Sequence, residues 1–169
     1  MNPSVKRKNI RLRDYDYSQP GYYYVTICAK NKQKIFGKII DSSRDGALPH
    51  PVVELTRIGQ ILFNQWYELN NRYHNIAVED LIIMPNHIHG IIIIKDREEQ
   101  SPSPTLGSIV GTYKSITTKI ANRGDNLSGR IIWQGSYYDH IIRNEKELTA
   151  IRKYIEDNPA KWQEDHYYI

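Results

Sequence analysis

Hydrophobic and polar residues change their spacing several times along this chain, and each change marks a predicted element. Alternating or β-branched apolar runs predict strands at residues 22–29, 35–40 and 76–84, a strand beginning at residue 87, and an extended region at 131–143. Apolar residues at helical spacing predict helices at residues 56–71, 105–121 and 144–158. Polar, proline-containing segments at 41–51 and 96–104 predict surface loops. This order of elements is typical of an α+β sandwich with helices packed on an antiparallel sheet.

The stretch from Ile82 to Ile94 predicts two apolar strands joined by a Pro–Asn turn. His87 and His89 open the second strand, and their side chains point the same way because side chains alternate along a strand. Residues at this spacing have Cα atoms about 6.6–6.8 Å apart, so both imidazoles can bind one divalent metal ion. An isolated pair of this kind also occurs as ordinary strand histidines, and spacing alone leaves both interpretations open.

The strand that carries the histidines is apolar on both faces. Ile91 and Ile93 share the histidine side, whereas Ile92 and Ile94 lie opposite. A strand covered on both faces is central to its sheet, so we predict a central position for this one.

Length and composition predict one domain over residues 1–169, with a hydrophobic core and 40% hydrophobic residues. No apolar run approaches the roughly 20 residues of a membrane-spanning helix, and no apolar signal region follows the basic N-terminus. The single cysteine, Cys28, excludes an internal disulfide framework and fits a reducing compartment. We therefore expect a cytoplasmic protein without a membrane partner.

The net charge of +4 is only weakly indicative of an anionic partner, but its distribution is uneven. Residues 1–13 form a basic arm without an acidic residue, which we expect to be flexible; it fits a solubilising tail or a nucleic-acid contact equally well. The thirteen tyrosines have a similar ambiguity, because tyrosine stacks on unpaired bases and is also a common strand residue.

The last predicted helix carries a second candidate group. Asn144 and Glu147 have the spacing of a capping box at its start, and Pro159 ends it after Asn158. Tyr154 lies one turn before Asn158 on the same face. A phenol with a pKa near ~10 is a weak nucleophile unless cations assist it, and an amide oxygen is a ligand that Mg²⁺ or Mn²⁺ accepts. Joined to the histidine pair, these residues fit a metal-assisted attack of tyrosine on a phosphodiester, although a packed tyrosine and an ordinary helix end fit the spacing too.

A set of motifs in a fixed order carries a resemblance to a known family. The motifs are YDYSQPG at 15–21, MPNHIH at 84–89, GTYKS at 111–115, WQ at 133–134, YYDHIIRN at 137–144 and YIEDNP at 154–159. Together they extend over roughly Arg11 to Trp162, and the sequence resembles the IS200-like tyrosine transposases of the HUH superfamily, particularly the REP-associated tyrosine transposases. The histidine pair alone is a weak signal, whereas the complete ordered set is specific.

The resemblance implies a site and an activity. In such proteins the positions of His87, His89 and Asn158 hold a divalent metal ion, Mg²⁺ or Mn²⁺. The position of Tyr154 attacks single-stranded DNA, forms a 5′-phosphotyrosine and releases a 3′-hydroxyl. Family members recognise imperfect DNA hairpins beside the cleavage point, so the expected partner is single-stranded or hairpin DNA. Both a monomer and a homodimer are compatible with the sequence.

Further residues are expected to contact DNA. These are Arg11, Arg13, Lys114 and Arg143, as phosphate contacts, together with His140. Strand alternation places His140 on the side of Tyr138 and Ile142, where it can approach the site or a phosphate, or serve as a hydrogen-bonded histidine at a strand edge. As the third metal ligand we prefer Asn158 to His140, because the helix of Asn158 already carries Tyr154.

The combined expectation is a ferredoxin-like α+β domain with helices on one face of the sheet and the histidine strand at its centre. A metal-binding β-barrel is the competing architecture, and the three helical stretches disfavour it. The expected function is a DNA endonuclease and strand transferase acting at hairpins. The alternatives are a hairpin-binding protein whose catalysis is idle and a metal-dependent hydrolase that uses water.

Overall fold

The computed structural model describes residue 12 and residues 14–40, 51–96, 104–126 and 128–168. Six strands and four helices are assigned in this part of the chain. In chain order they are β1 (Gly21–Cys28), β2 (Gly37–Ile40), β3 (Val52–Leu55), α1 (Arg57–Tyr67), α2 (Leu69–Arg72), β4 (Ile76–Ile83), β5 (His87–Ile94), α3 (Leu106–Gly124), β6 (Tyr138–Ile142) and α4 (Glu145–Asp157). Short 3₁₀ turns occur at Lys30–Lys32 and Trp162–Glu164.

Four of the strands form one antiparallel sheet in the order β4-β5-β1-β6. Strands β1 and β4 both pair antiparallel with β5, so they run parallel to each other, and α1 lies in their connection. Strands β5 and β6 both pair antiparallel with β1, so they are parallel too, and α3 connects them. Two interleaved β-α-β units on one sheet constitute the ferredoxin-like fold. The predicted fold and the central position of the histidine strand are confirmed.

The main core lies between the sheet and helices α1 and α3. Thr56 begins α1 by accepting a hydrogen bond from the Gly59 amide at 3.2 Å. Apolar residues at helical spacing then bury one side of α1, and Thr105 caps α3 in the same way. Full burial of one such side chain stabilises the fold by about 1.5–3 kcal/mol. The core members on the sheet strands are Tyr23, Val25, Ile27, Ile76, Val78, Ile83, Ile88, Ile92 and Ile94.

One close contact joins α1 to the histidine strand. Gly90 lies directly beneath Trp66, and a Cβ atom at this position would lie 2.4 Å from the indole Cζ2. The missing side chain therefore makes room for the largest buried residue of α1. Because Gly90 follows His89, the packing of α1 also fixes the strand that presents the histidines.

The opposite face of the sheet has a smaller apolar cluster, beneath α4. Leu148 and Ile155 of this helix pack with Tyr24, Ile91 and Ile142. Since Ile91 shares a face with both histidines, α4 lies across the histidine side of the sheet. The structure thus adds a helix to the second face, beyond the two that pack on the first.

An ion-pair group ties α4 to strand β4. The guanidinium of Arg152 donates to Asp80 at 2.9 Å and also pairs with Glu79. Both carboxylates lie where the pairing of β4 with β5 is interrupted, between Glu79 and Ile82. The interrupted part of β4 therefore carries the two carboxylates that hold α4 in place.

Several boundaries differ from the sequence expectation. The short strand β3 was not predicted, and it pairs with β2 in a separate two-stranded sheet. The helix expected at 56–71 is divided at Glu68 into α1 and α2. The extended region at 131–143 contains only β6 and an isolated bridge between Trp133 and Ala29. Apart from Leu12, the predicted arm at 1–13 lies outside the described residues. In the described part of the chain, no helix combines the length and the hydropathy needed to cross a membrane.

Candidate active site

The two histidines of β5 lie side by side in the interior, with their rings steeply inclined at 70°. His87 is 0% and His89 1% exposed, and their Nε2 atoms are 2.9 Å apart. Both neighbours of β5 are paired strands, so the backbone that carries the imidazoles is held on two sides. The predicted convergence of the two side chains is present in the fold.

The tautomer of His87 follows from its neighbour Asn86. The Asn86 amide nitrogen donates to the backbone carbonyls of Tyr167, at 2.9 Å, and Lys32, at 3.3 Å. The Asn86 carbonyl oxygen therefore faces His87 Nδ1 at 2.8 Å and must accept its proton. His87 Nε2 is left with a free lone pair directed into the site. A partner that fixes the outer ring nitrogen in this way is usual for a metal-binding histidine.

His89 has partners that permit either tautomer. Its Nδ1 lies 2.7 Å from the Tyr24 hydroxyl and 2.8 Å from Thr26 Oγ1, and hydroxyls can donate or accept. His89 can thus place a proton between the two Nε2 atoms or present a second lone pair to a metal ion. Burial lowers the pKa of His87 to about 2 and that of His89 to about 3, so both rings are neutral at physiological pH. Neutral imidazoles are the form that binds metal.

Two buried oxygens, on residues that line one cavity with Tyr154, have no hydrogen-bond partner. They are Asn158 Oδ1, at the end of α4, and Asp165 Oδ2, beyond it. Leaving a buried acceptor unsatisfied costs about 1–3 kcal/mol, so such atoms indicate a missing partner. One ligand atom from each of His87, His89 and Asp165 lies within 4.8 Å of the others. Two imidazole nitrogens with hard oxygen donors fit a divalent metal ion.

Tyr154 extends from α4 beside this donor set. Its ring centroid is 5.3 Å from that of His89, and the residue is 46% exposed. Burial and the negative charge of Asp165 raise the pKa of the Tyr154 phenol, while a hydrogen bond with Asn158 opposes them. The phenol is consequently protonated at neutral pH and needs a nearby cation to act as a nucleophile. The four residues predicted from sequence for metal and nucleophile are brought together within one chain.

Two cavities give access to the tyrosine. One of about 290 Å³ is lined by Tyr24, Thr26, His89, Tyr138, Ile151, Tyr154, His166 and Tyr167. Another of about 150 Å³ is lined by Tyr154, Asn158, Lys161, Glu164, Asp165 and His166. Tyr154 and His166 belong to both, so the phenol is open to two sides. A larger cavity of about 700 Å³ beside Trp162 is lined by none of the predicted metal or nucleophile residues.

The described residues that were predicted to contact DNA are not part of this cluster; they are Lys114, His140 and Arg143. Lys114 Nζ donates to the carbonyl of Gln134 at 2.5 Å, and burial lowers its pKa. His140, two strands from β5, has its Nε2 2.6 Å from a Glu147 oxygen, as a hydrogen-bonded strand-edge histidine would. The Arg143 side chain is exposed. Arg11 and Arg13 lie outside the described residues.

Asp165 is the site residue that sequence reasoning missed. It follows the last predicted helix in a segment without regular periodicity or a recognisable motif. Tyr24 and Thr26, which surround His89, were predicted only as strand residues. Their role depends on the pairing of Thr26 with His89 across β1 and β5, a register that no local pattern specifies.

Comparison with known proteins defines the class of protein. Residues 18–158 match the family model described as "Transposase IS200 like", and the chain belongs to this family. A protein of Haemophilus influenzae, described as "Uncharacterized protein", is 34% identical over 179 residues, covering 96% of this chain and 93% of its own. A solved REP-associated tyrosine transposase bound to a REP hairpin has a similar fold, with a TM-score of 0.55 and 17% identity over 90% of this chain and 73% of that one. The chain is thus a member of the IS200-like transposase family with a ferredoxin-like sheet.

Proposed function

We propose that the protein is a single-stranded DNA endonuclease and strand transferase that acts at DNA hairpins. The observation that carries the proposal is Tyr154 beside the two histidines, with the unpaired oxygen of Asn158 one helical turn away. Membership of a transposase family supports DNA as the substrate. The hairpin bound by the structurally similar transposase supports a palindromic target.

In this proposal Tyr154 Oη attacks the phosphorus of a phosphodiester. The Oη–P bond forms as the bond from phosphorus to the 3′ oxygen breaks. The phenol proton passes to solvent, and the departing 3′ oxygen takes up a proton from solvent. The products are a 5′-phosphotyrosine and a free 3′-hydroxyl. His87, His89 and Asn158 would hold Mg²⁺ or Mn²⁺, which would polarise the phosphoryl oxygen and orient the leaving group. The protein positions the phenol by holding α4 against β4 through Arg152.

The proposed chemistry also allows the strand to be rejoined. Attack of a 3′-hydroxyl on the phosphotyrosine exchanges one phosphoester for another and releases the Tyr154 phenol. Since the number of phosphoester bonds is unchanged, transfer to a new strand needs no external energy source. The open side of the Tyr154 cavities supports entry of that second strand.

Denaturing electrophoresis with labelled DNA tests the proposal. The substrates are single-stranded oligonucleotides that carry palindromes from the DNA flanking the gene, incubated with Mg²⁺ or with Mn²⁺. The expected product is a covalent protein–DNA adduct together with a shorter strand ending in a 3′-hydroxyl. Cleaved ends without an adduct would assign the attack to water. Binding without cleavage would make the protein a hairpin-binding protein with idle catalysis. Either result would overturn the proposal.

A further inference from the structure

The chain beyond α4 turns back over the histidines. We call residues 162–168 the C-terminal segment. The Tyr167 ring lies over His87, with centroids 4.6 Å apart, and its backbone carbonyl accepts a hydrogen bond from Asn86. Trp162 is buried and also stacks near His87, with centroids 6.0 Å apart. These contacts place Asp165, between the two aromatic residues, at the donor set.

The Asp165 carboxylate is buried with one oxygen satisfied and the other not. Its side chain is 2% exposed, and Oδ1 accepts a hydrogen bond from the Tyr167 amide at 2.6 Å. Oδ2 has no hydrogen-bond partner. No ion pair joins Asp165 to a lysine or arginine among the described residues. Burial of a charged carboxylate in such surroundings destabilises the folded protein unless a cation compensates the charge.

The unsatisfied oxygen points at an atom that cannot supply a proton. Asp165 Oδ2 is 3.6 Å from His87 Nε2, and the Asn86 contact leaves that nitrogen with a lone pair. Two electron-rich atoms thus face each other in the interior. Ligands about 2.0–2.2 Å from one ion lie at most about 4.4 Å apart. The separations of 2.9 Å between the two histidine nitrogens and 3.6 Å between His87 and Asp165 both satisfy this limit.

We propose that Asp165 is a ligand of the divalent metal ion, in addition to His87, His89 and Asn158. The inference rests on the metal site of the proposed function but not on DNA cleavage. Two nitrogens and two oxygens then surround the ion, and a single anionic ligand reduces its charge by one. The bound ion also neutralises the carboxylate whose charge disfavours ionisation of Tyr154. Metal binding therefore joins the C-terminal segment, α4 and β5 at one point.

Calorimetric titration of the full chain with Mn²⁺ tests the assignment. Asp165→Asn keeps the side-chain shape and an acceptor for the Tyr167 amide but removes the charge, and Asp165→Ala serves as the second variant. We expect Mn²⁺ binding to weaken at least about tenfold in both, since loss of even an outer-sphere partner costs 10–100-fold. Glu156→Gln is the matched control, because it removes an exposed carboxylate of α4 that lines neither Tyr154 cavity, and its affinity should equal that of the wild type.

Hydrogen exchange provides a second readout that does not depend on activity. Mn²⁺ should slow amide exchange in the C-terminal segment of the wild type and have no such effect in Asp165→Asn. Equal Mn²⁺ affinity in the wild type and both Asp165 variants would overturn the inference and leave the proposed function intact. Failure of the wild type to bind Mn²⁺ or Mg²⁺ would overturn the metal site itself and the inference with it.

Discussion

The two faces of the main sheet differ in how they are built. On the face covered by α1 and α3, the larger cluster has 22 buried apolar residues among those described, whereas the cluster beneath α4 has five. The histidine face instead buries polar groups, including His87, His89 and Thr26. The first face therefore supplies most of the hydrophobic stabilisation, and the second holds unsatisfied polar atoms that a ligand can complete. Stability and chemistry are divided between opposite sides of the same strands.

Removal of one hydroxyl from the histidine face should have the largest effect on activity. Tyr154→Phe keeps the ring on α4, so folding, Mn²⁺ binding and hairpin binding should be unchanged. Adduct formation and cleavage should fall by at least about 10³-fold, because the nucleophile is lost. Denaturing gels and a thermal melt measure the two outcomes.

Tyr138→Phe is the matched control, since Tyr138 is also exposed and lines the same cavity. An adduct formed by Tyr154→Phe would show that another residue attacks, and Tyr138 would be tested next. Tyr113 is a poorer candidate because it is buried and donates to the Leu62 carbonyl at 2.9 Å.

Loss of the histidine pair should weaken metal binding and cleavage together. In His87→Ala with His89→Ala, Tyr154 remains in place but lacks a cation to assist it, so cleavage should fall by at least about 100-fold. Mn²⁺ titration should show strongly reduced affinity, in contrast to Tyr154→Phe. Cleavage at the wild-type rate would contradict the metal-assisted mechanism.

Truncation of a buried side chain on the other face should lower stability without lowering catalytic activity. Leu62→Ala removes a fully buried side chain of α1 and should destabilise the protein by about 2–5 kcal/mol. Well below its melting temperature the variant should still form the adduct, because no group on the histidine face is changed. Urea unfolding and the adduct assay give the two values.

The adjacent Phe63 is 40% exposed, so Phe63→Ala is the control and should cost much less in urea unfolding. A large loss of cleavage by Leu62→Ala at low temperature would mean that the two faces are not separable.

The smallest expected effect concerns DNA affinity. Arg143 is exposed at the end of β6, beside the start of α4, whereas Lys119 is exposed on α3. Arg143→Ala should weaken hairpin binding a few-fold and reduce the slope of log affinity against log salt by about one. Lys119→Ala should leave both quantities unchanged. Equal effects from the two variants would argue against DNA binding on the histidine side.

The face covered by α1 and α3 was largely predictable from the sequence, because the spacing of apolar residues within each element shows which side chains are buried. Helical and strand periods in α1, α3 and β5 report this burial directly. Tyr154 and Asn158 could be placed on one face of a helix for the same reason.

The rest of the second face depends on contacts between distant segments. Asp165 reaches His87 only through the return of the C-terminal segment, and Arg152 meets Glu79 and Asp80 across 72 or 73 residues of sequence. Neither contact leaves a periodic signal. The short β3 was missed because four residues give too little alternation to recognise.

The contact between Gly90 and Trp66 restricts how this protein can be altered. Any side chain at position 90 would collide with the indole, so a substitution there needs a smaller residue at 66 as its companion. Randomisation of the strand around His87 and His89 would therefore return few folded variants unless helix α1 were varied in the same library. In protein engineering, β5 and α1 therefore have to be redesigned together.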